Sequence, residues 1–166
     1  MLLDDIIAIL SESQGSLNSA LLKTKVLLHS IGKKELAAWV TNELKGYPDL
    51  NVPDYRIVHA EVHAQLSNFN YQVSDYMLPV MHLKPEQLEN LTKSKCQMSI
   101  DSIEEAVKAH RMKGTKLVRS LPPEYAGLFQ KKLTPGTNIF SLWCEINMVN
   151  VENIYRKCDP ACLTSH

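Results

Sequence analysis

Three polar residues stand at alternate positions in Val58-His59-Ala60-Glu61-Val62-His63-Ala64. Imidazole and carboxylate groups are the ligand types that hold first-row transition metals. On an extended chain, residues two apart share a face, so His59 with Glu61, or Glu61 with His63, can reach one ion. The whole triplet cannot, because its ends stand roughly 13 Å apart at ~3.3 Å per residue. The intervening residues are uniformly apolar, which makes the solvent face of a half-buried strand the expected setting for all three. No metal or cofactor is therefore expected, and His59, Glu61 and His63 are the candidate ligands if one binds.

A second set of ligand types closes the chain as Cys158-x3-Cys162-x3-His166. Structural zinc takes four ligands, so this run would need another, for example Cys144. A short tail with incidental thiols, 158–166, is the expected reading. Lys23, Lys25, His29, Lys33 and Lys34 gather in one stretch and could bind phosphate or an acidic partner. No aromatic residues interleave with them as on a base-stacking surface. Solvated lysines opposite an apolar stripe are the simpler expectation. Lys113-Gly114-Thr115-Lys116 lacks both the GxxxxGK[ST] pattern and a preceding strand, and is discarded as a phosphate loop. GxSxG, HExxH, GxGxxG and paired CxxC motifs are absent from the sequence, so no catalytic residue is assigned.

Helical periodicity positions the first of these groups. Leu2, Leu3, Ile6, Ile7 and Leu10 predict a short helix, and Leu17, Ala20, Leu21, Leu28 and Ile31, with Leu22, Val26 and Leu27 widening the stripe, predict a second that stops at Gly32. Leu36, Trp39, Val40 and Leu44 predict a third, ending at Gly46 and packed antiparallel on the second. The period then falls to two at Val58, Ala60, Val62, Ala64 and Leu66, a half-buried strand. Asn68 to Asn70 supply a turn, and Tyr71 and Val73 begin a return strand whose alternation Asp75 interrupts. A helix is expected from Pro85 towards Gly114, broken near Ser99, although Lys95 falls on its apolar face. Another should start at Pro122-Pro123-Glu124 and point Tyr125, Leu128, Phe129 and Leu133 inward. Ile139 to Ile146 reads as a strand of mixed pattern, and Asn150 as the cap of a last helix that Asp159-Pro160 ends. Trp39 and Trp143 are assigned to the core by default, and Arg56 to an ion pair with its neighbour Asp54. The fold class is α+β: three N-terminal helices, an antiparallel hairpin or small sheet, and further helices.

The chain has 166 residues, 45% of them apolar and 22% charged, which suits one globular domain, taken as 1–157. Eighteen basic residues balance eighteen acidic ones, so no overall field draws the protein to nucleic acid or anionic lipid. Locally the balance fails. Residues 15–47 hold five lysines against Glu35 and Glu43, whereas 49–83 hold Asp49, Asp54, Glu61 and Asp75 against Arg56. The acidic start and the lack of an apolar run of roughly 18 residues point to a cytoplasmic protein without a membrane span. Four scattered cysteines are expected to be reduced.

The runs Leu3-Asp4-Asp5-Ile6-Ile7, Ala20-Leu21-Leu22-Lys23-Thr24-Lys25-Val26-Leu27, Glu35-Leu36-Ala37-Ala38-Trp39-Val40 and Asn42-Glu43-Leu44-Lys45-Gly46-Tyr47-Pro48-Asp49, then Val52-Pro53-Asp54-Tyr55-Arg56, resemble the AbiTii family of bacterial abortive-infection defence. The match is close over 2–56 and continues more weakly through Leu66-Ser67-Asn68, Pro122-Pro123-Glu124 and Val151-Glu152-Asn153-Ile154. The tail departs from it. The resemblance implies a bacterial component of phage resistance but carries no known active site. With catalytic signatures missing, the leading expectation is a noncatalytic interaction module that self-associates or binds another defence protein, with Lys23, Lys25, Lys33 and Lys34 as contact candidates. Nucleic acid as a partner is left open without being indicated. Two rivals stand beside it: a toxin-like enzyme such as a nuclease, using His59, Glu61 or His63, and a sensor of a phage product or nucleotide.

Overall fold

In the computed structural model, Ala8 and residues 17–158 are described. The helix expected over Leu2–Leu10 lies outside them apart from Ala8, as do Cys162, His166 and the side chain of Cys158. Helix α1 (Leu17–Ser30) and helix α2 (Lys34–Lys45) pack against each other across a short turn. A 3-10 turn (Asp54–Arg56) leads into the long strand β1 (Ile57–Ser67). Strand β2 (Gln72–Met77), helix α3 (Pro85–Thr92), strand β3 (Lys93–Lys95) and helix α4 (Ile100–Lys113) follow. Strand β4 (Val118–Ser120), two 3-10 turns (Pro123–Leu128 and Gln130–Lys132), strand β5 (Asn138–Ile146) and helix α5 (Met148–Cys158) complete the α+β fold.

All strand pairings are antiparallel, in the order β2-β1-β5-β4, with β3 pairing the first residues of β1. The apolar alternation of β1 determines which side is covered. Ala60, Val62, Ala64 and Leu66 meet Leu142 and Cys144 of β5, Leu91 of α3, and Leu121 and Phe129. A second cluster joins Val58 and Cys96 to Ile103 and Val107 of α4 and to Met148, Val151 and Ile154 of α5. A third, of Leu17, Leu21, Val40 and Ile100, fastens the α1–α2 pair to α4.

Several expectations are corrected. The helix from Pro85 breaks at Thr92, not near Ser99, and β3 intervenes, which explains why Lys95 had no place on a helical stripe. Ser99 instead caps α4, accepting from the Ser102 amide. The segment after Pro122 forms 3-10 turns, with only Phe129 fully buried. Asn147, not Asn150, caps α5 by accepting from the amides of Val149 and Asn150. Asn150 accepts from the His59 amide at 2.9 Å. Both tryptophans are half-buried rather than core.

The largest correction concerns Arg56. Asp54 is exposed, and the partner of Arg56 is Glu43 on α2, at 2.5 Å with both side chains fully buried. Arg56 also donates to the carbonyls of Cys96 and Met98 and stacks over Tyr47, 4.9 Å from its ring centre. Glu43 accepts in addition from the hydroxyls of Tyr47 and Tyr55, and Tyr55 accepts from the Trp39 indole at 2.8 Å. Burial alone would raise the Glu43 carboxyl, but bonds from Arg56, Tyr55 and Tyr47 outweigh it and hold the group below the ordinary carboxylate range. Burial and the same carboxylate push the Tyr55 hydroxyl up to about 12. Gly46 lets the 96–98 segment reach this network. Its φ of +90° excludes side chains, and a Cβ there would stand 2.7 Å from the Gln97 carbonyl oxygen.

Glu43→Gln should leave the Arg56 charge buried without its counter-ion and lower stability by about 3–5 kcal/mol, read as a fall in the urea midpoint. Glu43→Leu combined with Arg56→Met should recover part of that loss. Gly46→Ala should cost about 3 kcal/mol from backbone strain alone. A Glu43→Gln midpoint close to that of the parent chain would show that the pair does not support the fold.

Candidate functional site

The core takes the even-numbered residues of β1, so the odd ones face the other side of the sheet, and the structure separates the three candidate ligands there. His59 turns aside: its Nδ1 lies 3.1 Å from the Thr92 carbonyl oxygen. Glu61 is exposed. His63 is not solvated as expected: it is only 9% exposed, because Trp143 stacks on its ring with centres 6.1 Å apart and β2 brings Asp75 to its other side. The alternation rule failed at His63 because it describes one strand, whereas the cover comes from two neighbours.

His63 Nδ1 lies 2.5 Å from Asp75 Oδ1. This bond lowers the Asp75 carboxyl below its ordinary value, with a smaller contribution from Lys116. His63 Nε2 is buried without a hydrogen bond. It faces Glu61 Oε2 at 3.7 Å and Glu145 Oε2 at 3.9 Å. Glu61 and Glu145 are direct cross-strand partners, an arrangement of like charges that destabilises a sheet unless a cation joins it. Lys116 supplies one, 3.0 Å from the Glu145 carboxylate and 3.6 Å from Asp75, and Glu145 raises its ammonium in return. Glu61, Lys116 and Glu145 line a shallow pocket of about 210 Å³ with His110 and Asn147. Ligand atoms of His63, Asp75 and Glu145 lie within 4.8 Å of one another, the one such grouping among the described residues. Chemically, the arrangement orients an imidazole through a carboxylate and aims its second nitrogen at two more, as proton transfer or cation binding requires.

Asp75, Glu145 and Lys116 were not singled out from sequence. Asp75 left a trace as the residue that breaks the alternation of β2, and Glu145 as a charge in the mixed pattern of β5. Lys116, from the discarded phosphate-loop run, enters as an ammonium that donates to Glu145 at 3.0 Å. The preceding Gly114 is the left-handed cap of α4.

Other candidates resolve more simply. Cys144 is a core thiol that donates to the Leu91 carbonyl, and burial raises both it and Cys96. Lys33 and Lys34 are exposed at the α1–α2 turn, and Lys23 and Lys25 half-exposed along α1. Leu22, Val26, Ile31 and Leu36, expected to widen or continue buried stripes, are 50–59% exposed. A larger groove, about 540 Å³, runs between β3 and the first long 3-10 turn, lined by Lys93, Lys95, Arg119, Asn90 and Tyr125 among others.

Comparison with protein families matches residues 1–158 to the AbiTii model, nearly the whole chain. The chain belongs to the AbiTii family. No curated protein and no solved structure matches it. The weaker similarity read beyond residue 56 is thus part of a match that runs to α5. Membership places this AbiTii chain in abortive-infection, antiviral defence. No helix among the described residues is long and apolar enough to cross a membrane.

Because the folded pKa of Asp75 is depressed, its bond to His63 contributes stability above the ordinary value of 3.8, and that contribution is lost as pH falls through the lower folded value. The stability difference between the parent chain and Asp75→Asn should therefore be constant near neutral pH and shrink in acid below the ordinary value. Urea unfolding of both across that range checks this. A difference that grows in acid would contradict the assigned direction.

Proposed function

We propose that this AbiTii chain is a noncatalytic interaction module of cytoplasmic abortive-infection defence, which engages a protein partner through the α1–α2 surface. The observation that supports this most strongly is the exposure of Leu22 and Val26 on α1, Ile31 in the following turn and Leu36 on α2, beside the packed Leu17, Leu21 and Val40. Apolar side chains grouped on one structural unit are the usual mark of a contact surface. Charge sharpens the reading. Of the two acids set against five lysines in residues 15–47, Glu43 is buried and consumed by Arg56, so Glu35 alone offsets Lys23, Lys25, Lys33, Lys34 and Lys45 at the surface. The partner is accordingly a protein with an apolar centre and an acidic rim.

Val26→Glu with Leu36→Glu should abolish capture of the partner encoded beside the chain while leaving the thermal midpoint nearly unchanged, since both positions are already exposed. Lys33→Glu with Lys34→Glu should weaken capture and its dependence on salt. Pull-down from the native operon and light scattering on the purified chain read both effects and would report self-association instead if the partner is a second copy. A strict monomer that captures nothing would overturn the proposal.

A second reading, that of a ligand sensor, is favoured by the groove that Lys95 and Arg119 line together with the Lys93–Glu89 ion pair, whose net positive charge and size suit a nucleotide. A nucleotide bound there should raise the thermal midpoint of the parent chain and lose that effect in Lys95→Glu. No shift with any nucleotide would remove this reading.

A further inference from the structure

The AbiTii assignment and the α1–α2 surface leave unused the group of side chains around His63, where the arrangement of charge is unusual. Three carboxylates, Glu61, Asp75 and Glu145, surround one imidazole, with Lys116 the ammonium paired to them. Glu61 and Glu145 oppose each other across the β1–β5 ladder. Lys116 meets Glu145 and Asp75, whereas Glu61 faces the more distant His63 Nε2. That nitrogen is itself buried, in a residue only 9% exposed, and makes no hydrogen bond. A buried polar atom without a partner is costly, and its position between two carboxylate oxygens identifies what would satisfy it.

We propose that His63 Nε2, Glu61 and Glu145 bind a divalent first-row transition-metal ion, such as zinc or manganese, with Asp75 as the positioning residue that holds the imidazole. Asp75 engages Nδ1 at 2.5 Å, which directs the Nδ1 proton at the carboxylate and leaves Nε2, facing Glu61 and Glu145, as the nitrogen that would ligate the ion. Histidine ligands are commonly oriented by a carboxylate on the opposite nitrogen, which also makes them more basic. One nitrogen and two carboxylate oxygens suit zinc, manganese or iron better than calcium or magnesium, which prefer all-oxygen sites. Two ligand atoms each ~2.1 Å from a tetrahedral ion lie roughly 3.4 Å apart. Nε2 stands 3.7 and 3.9 Å from the two carboxylates, and Glu61, which lies outside the His63–Asp75–Glu145 grouping, completes the set by swinging its exposed side chain towards Glu145. The 210 Å³ pocket beside Glu61 and Glu145 leaves room for water or a ligand on the open side of the ion. Lys116 competes with the ion for Glu145, and its half-exposed side chain can swing into solvent. The site is separate from the α1–α2 surface, so failure of one proposal leaves the other standing.

Titration of the metal-free full chain with Co2+, followed by visible absorption, tests the site directly. The expected result is a saturable ligand-field spectrum for one ion, displaced by Zn2+ and free of thiolate charge transfer. Glu61→Gln should abolish it, as should His63→Asn. Asp75→Asn should weaken it about 10- to 100-fold, whereas Lys116→Gln, by removing a competing cation, should tighten it about 2- to 5-fold. Should His63→Asn fail to fold, Glu61→Gln still decides the matter, because that side chain is 64% exposed. A spectrum with thiolate charge transfer that disappears in Cys158→Ser with Cys162→Ser would assign binding to the tail and overturn the proposal. Absence of a cobalt spectrum, or one unchanged by Glu61→Gln, would overturn it equally.

Discussion

The buried pair of Glu43 and Arg56 is the constraint on which the rest of the architecture depends. Glu43 comes from α2, Arg56 from the turn that launches β1, and the two carbonyls that accept from the guanidinium Nη1 from the segment between β3 and α4. Neither charge tolerates burial alone, since desolvating an unpaired ion costs several kcal/mol. The helical pair, the sheet and α4 are therefore held in one arrangement by the need to satisfy a single guanidinium. Apolar contacts among Leu17, Leu21, Val40 and Ile100 supply the area, but hydrophobic packing is nondirectional. The ion pair and its two tyrosines add the direction.

That arrangement consumes charge as well as positioning it. With Glu43 inside, the helical surface keeps its lysines almost unopposed, and with Arg56 inside, Asp49 and Asp54 keep no basic neighbour from their own stretch. The sheet adds a different imbalance on its second face, where strand pairing sets Glu61 against Glu145 and leaves His63 and Lys116 to moderate them. A neutral chain thus carries two locally unbalanced surfaces, and each is a place where a partner or an ion has something to gain. Defence proteins of the AbiTii family need not carry a catalytic motif for such surfaces to act.

Much of the fold was legible because it rests on local periodicity. The stripe of α1, the stop at Gly46, the alternation of β1 and the β5 strand all follow from side-chain direction on a regular backbone. Where regularity ran out, reading failed. A three-residue strand such as β3 has no periodicity to detect, and the 3-10 turns after Pro122 begin with the same proline signal as an α-helix. Leu22, Val26 and Leu36 belong to helical stripes by spacing, yet nothing covers them among the described residues.

The sequence by itself determined the α+β class, the helical pair, the long amphipathic strand and the AbiTii resemblance, because each depends on residues close together in the chain. Only the tertiary structure decided which charges meet. Arg56 chose Glu43, thirteen positions away, over Asp54, two positions away, because backbone geometry turned one carboxylate inward and left the other in water. His59, Glu61 and His63 were read as one solvated row, but β2 and β5 brought Asp75, Trp143 and Glu145 to one end of it. Strand register is a long-range choice, and a candidate site built across three strands exists only once that choice is made.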